Sequence, residues 1–73
     1  MENFKIGDVV RLKSGSDDMT IIDIYDPSRN DYDVNLKLNF QKNGSIRCQW
    51  KDTSEIEHTK FFIPEALELA KET

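Results

Sequence analysis

Val34-Asn35-Leu36-Lys37-Leu38-Asn39-Phe40-Gln41, then Lys42-Asn43-Gly44, then Ser45-Ile46-Arg47-Cys48-Gln49-Trp50-Lys51 is the stretch on which the fold reading turns. Its first part alternates apolar and polar side chains without a miss, and Ile46, Cys48 and Trp50 resume the alternation. A period of two is the signature of a half-buried strand, so the pattern predicts two strands closing a hairpin. Register follows from the faces. A two-residue Asn43-Gly44 loop would set Phe40 against Arg47 and Leu38 against Gln49, splitting the apolar residues between the two sides. A three-residue Lys42-Asn43-Gly44 loop pairs Phe40 with Ile46, Leu38 with Cys48 and Leu36 with Trp50. It also puts Gly44 at the left-handed bulge position that such loops need.

Shorter strands are expected on either side. Val9 to Lys13 places Val10 and Leu12 on one face and Arg11 and Lys13 on the other. Met19 to Tyr25 is β-branched, but the adjacent Ile21-Ile22 breaks its alternation, which predicts burial on both faces or a bulge. Asp26 to Asp31 reads as a loop, since Pro27 cannot donate to a sheet. Beyond the Asp52-Thr53-Ser54-Glu55 turn, Ile56 to Ile63 is a further strand. Pro64-Glu65-Ala66 then begins a helical turn. Two readings of the tail remain: a helix running to Lys71, or a single helical turn followed by a short Leu67-Glu68-Leu69 strand. The second is preferred, because a helix of that length is marginal alone. The fold class is therefore all-β, a small antiparallel barrel of five to six strands with one short helical turn near Pro64. A meander of this length resembles the SH3-like barrels.

Composition sets limits. The chain has 73 residues, which reads as one domain spanning 1–73, with a core bounded by its size. Cys48 is the only cysteine and His58 the only histidine, so no internal disulfide and no ordinary zinc site is expected. No apolar run reaches the length of a bilayer span, and the N-terminus lacks the pattern of a signal peptide, so a cytoplasmic setting is the expectation. A net charge of −4 works against phosphate binding in bulk.

The opening Phe4-Lys5-Ile6-Gly7-Asp8-Val9-Val10-Arg11-Leu12-Lys13-Ser14-Gly15 joins with Met19-Thr20, Cys48-Gln49-Trp50, and Phe62 with Pro64-Glu65-Ala66-Leu67-Glu68-Leu69. Together they make the chain resemble the YodC-like family of small bacterial proteins. That resemblance implies a fold and a bacterial cytosolic setting, but no activity and no catalytic residues. Two departures stand out: Gly15-Ser16-Asp17 replaces a Gly-Gly-Pro, and the Tyr32 to Lys42 segment is longer than in the family. The Gly-Asp-Val-Val-Arg-Leu opening is also similar, less specifically, to KOW-type modules, some of which bind RNA or proteins.

Each residue able to carry chemistry has a plain structural alternative. His58 is expected at the surface, because no nucleophile motif accompanies it and the adjacent Glu57 would point to the opposite face of a strand. Cys48 is expected as a small buried hydrophobe. The aspartates follow no calcium-loop spacing and fall in turn clusters. Tyr25, Tyr32 and Trp50 are the candidates for a protein-binding surface. The alternating face of Trp50 favours a core role for it, while Tyr25 and Tyr32 flank the 26–31 loop and are better placed to be exposed. Lys37, Arg47 and Lys51 would share one sheet face in the hairpin register and are the candidates for nucleic-acid binding; a solvated outer face is the usual alternative.

The chain is thus expected to be a non-enzymatic module without cofactor or metal. It would bind a protein or itself, and a homodimer through the 32–51 hairpin is the expected form of self-association. Weak RNA or DNA binding is the alternative.

Overall fold

A computed structural model describes residues 4–70. The chain forms β1 (Val9–Leu12), β2 (Met19–Ile24), α1 (Val34–Asn43), β3 (Ile46–Lys51) and β4 (Glu57–Phe62). A 3₁₀ turn at Pro64–Ala66 then leads into β5 (Leu67–Leu69). The domain is mainly β, with the five strands making one antiparallel sheet in the order β4-β3-β2-β1-β5. The chain therefore meanders through four strands and returns its last to pair with its first. Val10 lies opposite Leu69, and Leu12 opposite Leu67.

The tail follows the preferred reading, with one helical turn and a short strand. Proline fits the first position of that turn because its missing N–H would have had no helical partner there. The Ile21-Ile22 irregularity is a bulge. Ile21 faces Cys48 and Asp23 faces Arg47, which leaves Ile22 as the additional residue. The bulge returns Ile24, opposite Ile46, to the same face as Ile21. Val10, Met19, Ile21, Ile46, Cys48 and Leu67 form the buried core on that face, with Leu12, Ile24, Trp50, Phe62 and Leu69 packed around them.

The expected 34–41 strand is not formed, and neither is the Lys42-Asn43-Gly44 hairpin. Residues 34–43 are α-helical, and β3 instead takes β2 along one edge and β4 along the other. The physical reason lies in a double periodicity. Residues that alternate every second position are also spaced by four, and side chains four apart stack on a helix. Asn35, Asn39 and Asn43 use that spacing: the Asn39 amide donates to the Asn35 carbonyl at 3.0 Å, and the Asn43 amide to the Asn39 side-chain oxygen at 2.9 Å. Leu36 and Phe40 form one apolar stripe and Val34 and Leu38 another. Only the first meets the sheet. Phe40 is 2% exposed, whereas Val34 and Leu38 are 71% and 53% exposed.

Helix α1 packs over the face of the sheet opposite the core. Phe40 meets Phe61 edge-on at 5.1 Å and lies 5.5 Å from Tyr25 and 5.6 Å from Tyr32. Phe61 is paired with Arg47 in the β3–β4 ladder, so both project to this side.

Gly44 ends the helix, but its role is a close approach and not a hairpin bulge. It has φ 145°, and a Cβ there would overlap the Phe62 carbonyl and stand 2.6 Å from the Ile63 nitrogen. Gly44→Ala is therefore expected to lower stability by about 3 kcal/mol, read as a fall in denaturant midpoint. An unchanged midpoint would mean that the start of β3 is not seated against the end of β4.

Candidate functional site

The β3–β4 ladder sets Trp50 opposite His58, Cys48 opposite Lys60, and Ile46 opposite Phe62. All six share the core face, where Ile46 and Cys48 are buried at one end. At the other end Trp50 is half-buried, with its ring 6.5 Å from Phe62. Leu12 and Met19 come up from β1 and β2, and the β1–β2 loop contributes Ser16 and Asp17. Together with Lys60 these residues line a largely apolar cleft of about 280 Å³. Small-molecule sites run from about 300 to 1,000 Å³, so this volume suits one inserted side chain better than a whole ligand. Past the indole lies a second, polar recess bounded by Asp18, Gln49, Lys51 and Glu57.

The β3–β4 turn positions the rim. One carboxylate oxygen of Asp52 accepts from the backbone N–H groups of Ser54 at 2.8 Å and Ile56 at 3.1 Å. The other lies 2.8 Å from Nε2 of His58. Glu55, with φ 61°, takes the left-handed conformation that lets so short a turn close. His58 in turn stacks on Trp50, centroids 5.4 Å apart and planes inclined by 22°. The orienting carboxylate that sequence reasoning did not find for His58 is thus Asp52, six positions back across the turn. The signal for it lies in the register of the 52–56 turn, which sets the even-numbered Asp52 and His58 on one side of the ladder.

The remaining candidates fall elsewhere. Tyr25 and Tyr32 lie 5.5 Å apart and clamp Phe40 beneath α1, on the far side of the sheet from the Trp50 cleft. The Tyr32 hydroxyl accepts from the Asp26 N–H at 2.9 Å, tying down the 26–31 loop. The three aromatics therefore do not form one surface. Arg47 and Lys51 keep to one face of β3, but Lys37 is on α1 and not on the sheet. The Arg47 guanidinium lies 5.5 Å over the Phe61 ring, and its Nε is buried with no hydrogen-bond partner. Lys37 instead borders a recess beside the helix, with Arg29, Tyr32, Val34, Leu38 and Gln41.

Chemically, this arrangement offers an oriented imidazole beside an aromatic cleft. Cys48 is fully buried, and burial pushes its thiol up to about 11, away from the thiolate form that reacts. Among the described residues no group of three or more His, Cys, Asp or Glu side chains could hold a metal ion. No helix among them is long and apolar enough to cross a membrane.

The fold and cleft define a small mainly-β domain built on one five-stranded antiparallel sheet. The family model for uncharacterized small proteins, DUF2158, matches residues 5–67, and the chain belongs to that family. No curated protein and no solved structure matches the chain significantly.

Two outcomes follow from the site's chemistry. The His58 hydrogen bond, then the Ile56 and Ser54 amides, hold the Asp52 carboxyl below its ordinary range. A depressed folded value means that the stabilisation is complete above the unfolded value of about 3.9 and is lost as pH falls through the folded one. The melting-temperature advantage of the wild type over Asp52→Asn is therefore expected at neutral pH and to vanish in strong acid; an advantage constant with pH would contradict this. Cys48 in the native protein is expected to react with a thiol reagent only as fast as the fold opens. Labelling at the rate of a free thiol would overturn its burial.

Proposed function

We propose that this chain is a non-catalytic, cytoplasmic interaction module that takes an apolar or aromatic side chain of a partner protein into the Leu12–Met19–Trp50–Phe62 cleft. The observation that carries the reading is the cleft itself, an apolar slot at the open end of the core with a half-buried tryptophan at its rim. A tryptophan so placed offers a large rigid contact at low entropic cost, which is why it dominates the energetics of many interfaces. Lys60 and Asp17 at the mouth give a polar rim that orients what enters.

The strand order, with β5 returning to β1 after a 3₁₀ turn, supports the SH3-like form of this reading. It is also in keeping with the YodC-like resemblance. Nothing comparable favours nucleic acid, since Lys37 is separated from Arg47 and Lys51 and Arg47 packs on Phe61. Self-association through a 32–51 hairpin loses its route, because that hairpin is not formed.

The test is capture from the native cell, with and without nuclease, using wild type, Trp50→Ala and the rim variant Lys60→Glu. A nuclease-resistant partner is expected with wild type, bound roughly 30-fold more weakly by Trp50→Ala, the size of a truncated aromatic anchor. A partner lost on nuclease treatment, or held equally by Trp50→Ala, removes the reading.

A further inference from the structure

Trp50 is the only tryptophan in the chain, and its indole divides the apolar cleft from the polar recess beside it. What holds the indole on its open side is the His58 ring, stacked 5.4 Å away. The imidazole is held in turn by Asp52, which two backbone amides of the β3–β4 turn fix in place. A rigid turn, a carboxylate, an imidazole and an indole therefore stand in series. The imidazole is the member open to protons, since the His58 side chain is 44% exposed.

We propose that His58 is a proton-responsive clasp on Trp50, and that protonation tightens its hold on the indole and so on the rim of the cleft. The consequence for binding rests on the interaction reading given above; the clasp itself does not. A neutral imidazole gives the Asp52 carboxylate a hydrogen bond charged on one side only, and gives Trp50 a plain stack. An imidazolium turns that contact into an ion pair, charged on both sides, and adds a cation over the indole face. Imidazole is the side chain that changes charge between about pH 5 and 8.

Other charges surround this group on each neighbouring element. Lys60 shares its face of β4, Glu57 and Lys51 pair on the opposite face, and Asp17 and Asp18 come from the β1–β2 loop. Among the described residues, only Asp52 is in hydrogen-bond contact with the imidazole.

Because Trp50 is alone, its emission reports on it without ambiguity. The experiment follows emission and acrylamide quenching from about pH 8 to pH 5 in wild type, His58→Gln and Asp52→Asn. In wild type a one-proton transition is expected, with quenching weaker at the acid end as the clasp tightens. His58→Gln is expected to be flat, and Asp52→Asn to show a smaller amplitude. A flat wild-type profile, or a transition that survives in His58→Gln, overturns the proposal. No partner is needed, so the two readings fail separately. A flat profile with Trp50-dependent capture removes the clasp alone; a His58-dependent transition with Trp50-independent capture upholds the clasp and removes the binding reading.

Discussion

Strand β3 is hydrogen-bonded along both edges, and the rest of the domain depends on that double pairing. Cys48 at its middle is fully enclosed, with Ile21 on one side and Lys60 on the other. A strand has only two edges, so once β2 and β4 occupy them no third segment can join. Residues 34–43, despite their strand-like alternation, therefore cannot pair with β3. They satisfy their backbone within themselves as a helix and return to the sheet only through side chains. The same pairing carries Trp50 beyond the filled part of the core to an end that no element covers.

The two faces of the sheet are finished differently. On one face, α1 sets Phe40 over Phe61, and Tyr25 and Tyr32, flanking the 26–31 loop, pack against Phe40. On the other, the strands enclose their own apolar residues, with Cys48 fully buried and Trp50 beyond it half-buried. Past that point the covering falls to short polar segments, the β1–β2 loop and the β3–β4 turn. A domain this small has little apolar surface to spare, so an apolar slot left open at one end stands out. The aromatic side chains are thus divided between holding the helix and lining the cleft.

Most strands were legible because their burial is decided locally. Val10 and Leu12 against Arg11, and Leu67 with Leu69 after Pro64, read the same in sequence and in structure. The Ile21-Ile22 doublet announced its bulge in the same way. The 34–43 segment was misread because period two contains period four, and apolar alternation alone cannot separate them. Asp33 and Gly44, at the cap positions of α1, were the available signals of a helix start and stop. At the site, sequence identified Trp50 but not its neighbours. Leu12, Met19 and Phe62 come from three other strands, and their meeting depends on topology. The His58–Asp52 contact depends on the register of a turn.

The order β4-β3-β2-β1-β5 leaves β4 as a sheet edge. Two copies joined antiparallel at this edge about a two-fold axis would have to match core face with core face, so even-numbered residues could lie only opposite even-numbered ones. Complete overlap of Glu57–Phe62 with itself would pair Glu57 with Phe62 and is forbidden by that parity. The nearest allowed registers centre on Thr59 or Lys60, setting Lys60 against His58 of the second copy or against its own counterpart. In the register centred on Lys60, like charges are opposed, a known defence of exposed edges. Lys60, which also borders the cleft, thus stands at the centre of one of the two registers in which this edge could meet its own kind.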